Sequence, residues 1–135
     1  MPSDDGRWAA AFPVLFAGRY VDYADCRLGF TTGPVPDELV ARLHVVAMTS
    51  HRHVIVCRSI QGWRFLPGGT REDGESLVEL ARRELMEEAG ARMTGNIEIF
   101  ASHVADGDTG RWAGRTPPGR RSEVDGAGIC TASTG

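Results

Sequence analysis

The stretch GTREDGESLVELARRELMEEAGA, residues Gly69 to Ala91, decides how the chain is read. Ser76 and Glu79 stand at the spacing of a capping box, in which each side chain satisfies a backbone amide at the other residue. They predict a helix opening at Ser76 and running to Ala89, with Gly90 as the residue that ends it in a left-handed conformation. Along that helix Leu77, Leu80, Ala81, Leu85 and Ala89 recur at three- and four-residue spacing, which makes one apolar face for docking on a sheet. Glu84, Glu87 and Glu88 fall at i, i+3 and i+4 and project from a different side. Carboxylates packed this closely repel one another unless a cation sits among them, and hard oxygen donors select magnesium or manganese. Arg83 lies i, i+4 to Glu87 and can hold that carboxylate in place. Immediately upstream, Gly68-Gly69 leaves backbone carbonyls and amides open to a ligand. A carboxylate cluster beside a glycine loop suits metal-assisted phosphoryl chemistry, in which the metal neutralises phosphate charge and a carboxylate takes a proton from water.

These residues resemble the signature of the Nudix hydrolase family, G-x5-E-x7-R-E-U-x-E-E-x-G-U, where U is a bulky aliphatic residue. Here Gly69 is followed after five residues by Glu75, and after seven more by Arg83-Glu84-Leu85-Met86-Glu87-Glu88-Ala89-Gly90-Ala91. Every polar and glycine position matches, and only Ala91 is smaller than the pattern asks. The resemblance is firm from about Leu43 to Val104. It implies an α/β/α sandwich around a mixed sheet and hydrolysis of a pyrophosphate bond in a nucleoside diphosphate linked to another moiety. It also implies roles. Glu87 and Glu88 would be the principal metal ligands, Glu84 a third ligand or the general base, and the Gly68 carbonyl a further ligand. Arg83 would orient the glutamates, and Glu75 would support the loop or hold a water. Mg2+ is the implied cofactor, with Mn2+ as the other candidate. Two alternatives stay open: a nucleotide-binding module without turnover, and an inactive, incompletely folded fragment.

Outward from this box, Arg42 to Met48 and His53 to Arg58 are β-rich runs that predict a hairpin, and Trp63 to Leu66 a short segment leading into Pro67. Ile97 to Val104 alternates as a strand. Arg19 to Phe30 predicts an earlier strand broken at Asp22, after a lead-in, 1–18, whose order the pattern leaves open. Beyond Ala105 the periodicity collapses: residues 106–135 carry seven glycines, two prolines and few large apolar side chains. Such a segment cannot offset its ordering entropy, so a disordered low-complexity tail is predicted. The Nudix domain is then expected over 19–105, partial, lacking distal strands and a closing helix because the chain is truncated or has lost its frame after about Ala105.

Composition sets the remaining bounds. At 135 residues with a formal charge of −3, the chain suits one compact domain and offers no basic field for nucleic acid. All 15 basic residues are arginine. No apolar stretch is long enough to cross a bilayer, so no membrane partner is expected. Cys26, Cys57 and Cys130 form neither a disulfide framework nor a metal knuckle, which points to a reducing, cytoplasmic setting. A small nucleotide-type substrate is the expected partner, and homodimerisation is left open. His51-x-His53 lacks a third ligand and reads as a solvent-facing loop. Trp63 is a candidate for stacking on a base or for core packing, and Cys57 for a small buried hydrophobe. Arg58, Arg64 and Arg71 flank the loop as candidate phosphate contacts.

Overall fold

The computed structural model describes residues 4–106 and 123–134. They fall into two compact units, one built from residues up to Ala41 with Ala101–Asp125, the other from Arg42–Phe100 with the chain from Gly126 onward. The elements in order are α1 (Asp5–Ala11), α2 (Pro13–Phe16), β1 (Arg19–Val21), β2 (Cys26–Thr31), β3 (Val40–Met48), β4 (Cys57–Arg58), β5 (Arg64–Phe65), β6 (Gly68–Thr70), α3 (Leu77–Ala89), β7 (Ala91–Asp106) and β8 (Glu123–Thr134).

In the first unit β1 and β2 pair antiparallel, with Asp22–Ala24 as a 3-10 turn between them, at the residue that breaks the alternation. β2 continues antiparallel onto the end of β7, Leu28 opposite Ala105. Val21, Cys26 and Ala105 are buried there, with Leu28 packed against them. Within the lead-in Asp5–Ala11 and Pro13–Phe16 are helical, and Asp5 ties them down by accepting from the Thr31 and Thr32 hydroxyls and the Thr32 amide at 2.6–2.7 Å.

The second unit carries the box. Its strands follow the order β7, β8, β3, β6, and β4 pairs with β5 in a separate two-stranded ladder. α3 has the boundaries its caps dictate. Both capping-box bonds form, Glu79 N to Ser76 Oγ at 3.1 Å and Ser76 N to Glu79 Oε2 at 2.8 Å, and Gly90 ends the helix at φ 59°. Leu80, Ala81 and Leu85 are fully buried against Leu43, Val45 and Ala47 of β3, with Ala91, Met93, Cys130 and Ala132 completing the core. Leu85→Ala is therefore expected to cost about 2–5 kcal/mol by denaturant titration. A loss below about 1 kcal/mol would mean that the site collapses around the deletion or that the helix face is assigned wrongly.

The α/β class with a mixed sheet is the one observed. Three expectations need correction. The β3 hairpin partner is only a bridge, Met48 to Val54, since the chain then departs to make the β4–β5 ladder. β7 runs the full length Ala91–Asp106 rather than beginning at Ile97, with Gly95 inside it at φ 79°. Most consequential, part of the expected disordered tail, Glu123–Thr134, is strand β8, so a distal strand is present. Gly128 is small because its neighbour supplies the bulk, since a Cβ there would collide with the Ile97 side chain, and Thr131 Oγ1 donates to the Thr94 carbonyl at 2.8 Å. Cys130 and Ala132 are buried although neither is large. The rest of the expected tail, 107–122, lies outside the described residues. Among the described residues no helix follows α3, and none is long and apolar enough to cross a membrane.

Candidate active site

Two backbone constraints place the glycine loop. A side chain at Gly68 would overlap the Leu43 carbonyl and the His44 Cα, so only glycine lets β6 lie this close to β3. A side chain at Gly69 would overlap the Glu84 carboxylate. The second glycine thus exists for the glutamate, and the loop and α3 meet with no side chain between them.

Arg83 organises what surrounds this contact. Its Nε donates to Glu75 Oε1 at 2.7 Å and its Nη2 to Glu75 Oε2 at 3.0 Å, a bidentate fork. Nη1 reaches Glu84 Oε1 at 3.0 Å and Glu87 Oε2 at 3.4 Å, and Nη2 also bonds the Thr70 carbonyl at 3.1 Å. One guanidinium therefore spans the loop, the box glutamate Glu75 and two helix carboxylates. The bond to Glu75 raises the Arg83 pKa above its ordinary value, against the effect of burial. In the other direction, Arg83 and then the Glu72 amide hold the Glu75 carboxyl below the usual range, outweighing burial. Arg71 fixes the same turn by donating to the Glu75 carbonyl at 2.7 Å.

Glu84 and Glu88 form the other half. The Glu84 side chain is 9% exposed, and its carboxylate stands close enough to Glu88 to act on it. Burial first, then Glu84, pushes the Glu88 pKa up, while the Gly68 amide and the His44 charge oppose the shift. Two carboxylates in such contact need a proton or a cation between them. The donors are all hard oxygens, so the set suits a divalent cation of the magnesium class. Among the described residues no three such groups stand in closed ligating geometry. Glu87 is the outlying member: its side chain is 58% exposed, and its contact with Arg83 is the longest of the set.

Glu75, Arg83, Glu84 and Glu87 are thus brought together by hydrogen bonds, and Gly68 and Glu88 stand at the same loop–helix junction. Sequence reasoning missed His44, and it read Cys57 as a small buried residue without its link to the site. His44 joins through the strand register, opposite Gly68, which no local pattern encodes. Cys57 is buried, with its thiol pKa raised by burial and then by Glu88, and its Sγ donates to the Glu88 carbonyl at 3.5 Å. The core reading of Trp63 fails, because that residue is 74% exposed. The rings of His51 and His53 lie 6.4 Å apart in an exposed turn and belong to no three-ligand cluster among the described residues.

Gly69→Ala is expected to displace Glu84 and lower turnover at least about tenfold. Gly74 gives the contrast. It has φ 77° with open space around a Cβ, so Gly74→Ala should cost about 1–2 kcal/mol of stability and leave turnover near the parent value. Equal turnover in the two variants would contradict the assigned reason for Gly69.

An α/β fold with a glycine loop set against a carboxylate-bearing helix, tied by one arginine, defines a Nudix-type domain. The NUDIX domain family model matches residues 38–130, most of the chain, and the chain belongs to that family. The match continues well past Ala105. Among solved structures, the crystal structure of a Bacillus subtilis pyrophosphohydrolase, BsRppH, aligns with a TM-score of 0.60 at 15% identity. The alignment covers 87% of this chain and 66% of that one, so this chain spans less than two thirds of that protein's length. Comparison with the curated proteins gave no match.

Proposed function

We propose that this chain hydrolyses a pyrophosphate bond in a nucleoside diphosphate linked to another moiety, with Mg2+ as cofactor and Mn2+ as a substitute. The observation that carries the reading is the placement of the Glu84 carboxylate against Gly69, with Arg83 tying it to Glu75 and Glu87. Glu87, Glu88 and the Gly68 carbonyl would hold the cation, and Glu84 would serve as the base. When bound, it supplies charge neutralisation on the phosphates and acidifies water. Water attacks phosphorus, the bridging P–O bond breaks with its electron pair going to the leaving oxygen, and a proton from water passes to Glu84. Oε1 of Glu84 accepts from Arg83, so Oε2 is the atom proposed to take that proton. Arg83 keeps Glu75, Glu84 and Glu87 at fixed spacing while charge builds up in the site. The proposed setting is cytoplasmic, on the sparse and scattered cysteines of the sequence.

The test is a panel of nucleoside diphosphate derivatives incubated with the full chain and magnesium, manganese or a chelator, followed by phosphorus NMR. Diphosphate resonances should give way to monophosphate resonances only with a divalent ion. Binding without product would show a nucleotide-binding module instead. Neither binding nor a cooperative melt would show an inert fragment.

A further inference from the structure

β6 is terminal in the sheet order, with β3 as its neighbour. Val45 N donates to the Pro67 carbonyl at 2.8 Å, and one residue on, His44 stands opposite Gly68. Antiparallel pairs alternate between bonded and non-bonded, so His44–Gly68 is a non-bonded pair with Cα atoms about 4.5 Å apart. The Gly68 amide and carbonyl therefore point away from β3, toward the open edge of the sheet. α3 passes that edge. The Glu84 carboxylate occupies the place of a Gly69 side chain, and Glu88 follows about one helical turn later.

Strand alternation puts Leu43 and Val45 on the side of β3 that packs against α3, and His44 on the other. A side chain on β6 would ordinarily stand between that other side and the edge. At Gly68 there is none, and none fits, because a Cβ would overlap the Leu43 carbonyl and the His44 Cα. The half-buried His44 thus has an open way across β6 to the edge where Glu88 lies. Its charge acts on the Glu88 carboxyl, opposing the effects of burial and of Glu84, as the Gly68 amide also does. Arg83 bonds Glu75, Glu84 and Glu87, and among the described residues it makes no bond to Glu88.

We propose that His44 is a positioning residue, reaching across Gly68 to hold the Glu88 carboxylate beside the Gly68 carbonyl, where a divalent cation needs it. The inference deepens the hydrolase reading and rests on it for the metal site. A carboxylate that ligates a metal is commonly oriented by an outer partner that does not itself touch the ion. Arg83 does this for Glu87, and His44 does it for Glu88. The two Gly68 backbone groups and the imidazole then act on one carboxylate from the strand side, while α3 carries it from the helix side.

The experiment titrates the full chain with Mn2+ and reads the free ion by its electron paramagnetic resonance signal, with no substrate present. His44→Leu should weaken Mn2+ binding at least about tenfold, the usual cost of losing an outer partner. His44→Gln or His44→Asn should bring binding back near the parent value, because one amide nitrogen reproduces each ring nitrogen. If His44→Leu does not melt cooperatively, His44→Val takes its place, since a β-branched side chain suits a strand. Equal affinity in parent and His44→Leu would overturn the role while leaving the hydrolase reading intact. A loss that neither amide regains would also overturn it, since bulk alone would then explain the effect. Pulsed spectra of the bound ion should show no directly bonded nitrogen, and one that vanishes in His44→Leu would make His44 a ligand instead. A parent that binds no Mn2+ would sink both the metal site and His44's part in it. His44-dependent Mn2+ binding by a chain that hydrolyses nothing would refute the hydrolase reading and leave the positioning role standing.

Discussion

Glu88→Gln should lower turnover by more than about 100-fold while leaving the fold in place. Loss of a partner one shell removed from a metal already costs about 10- to 100-fold, and Glu88 is proposed as a ligand itself. The side chain sits at the exposed end of α3, so its amide isostere opens no cavity. Burial and then the Glu84 carboxylate raise the Glu88 pKa, and the neutral amide escapes both costs. The metal-free variant should therefore melt no lower than the parent. Millimolar magnesium should raise the parent's midpoint and leave that of Glu88→Gln unmoved, since a ligand stabilises only the state that binds it. An unchanged rate, or a magnesium-induced shift that survives the substitution, would remove Glu88 from the metal site.

Arg83→Ala should be the most damaging change to stability in the site, on the order of 3–5 kcal/mol. Glu75 and Glu84 have side chains 10% and 9% exposed, and without the guanidinium both keep their desolvation cost and lose their partner. The pH dependence follows from Glu75. Its folded pKa lies below its unfolded value, so its stabilising contribution is present above the ordinary carboxylate range and is lost as pH falls through the folded value. Parent and Arg83→Ala stabilities, measured by urea titration, should thus diverge near neutral pH and converge under acid. A gap that stays constant with falling pH would mean that Arg83 acts through packing alone.

Much of the site was legible because its information is local. Ser76, Glu79 and Gly90 mark where α3 starts and stops, and helical spacing puts Glu84, Glu87 and Glu88 on neighbouring positions. The side that each takes was only partly legible: Glu84 is buried beside Leu80 and Ala81, since the loop closes over it once Gly69 lacks a side chain. Contacts made by tertiary approach left no local trace. His44 reaches the site by register, and Cys57 meets the Glu88 carbonyl across 31 positions of sequence. β8 was missed for a different reason. Large apolar residues are the usual sign of a buried strand, but Gly128, Cys130 and Ala132 are small where Ile97 and the β3 core already fill the space. A glycine-rich segment thus gains order from its neighbours' bulk.

The central claim is that the cluster around Arg83 directs water onto a phosphorus atom of a pyrophosphate. The most direct measurement is hydrolysis of a nucleoside diphosphate derivative in oxygen-18 water with magnesium, with mass analysis of both products, for the parent and for Glu88→Gln. The parent should place one heavy oxygen in a phosphate product, only with the metal present, and the variant should give almost none. Products whose label lies off phosphorus, or labelled product formed equally by Glu88→Gln, would contradict the claim.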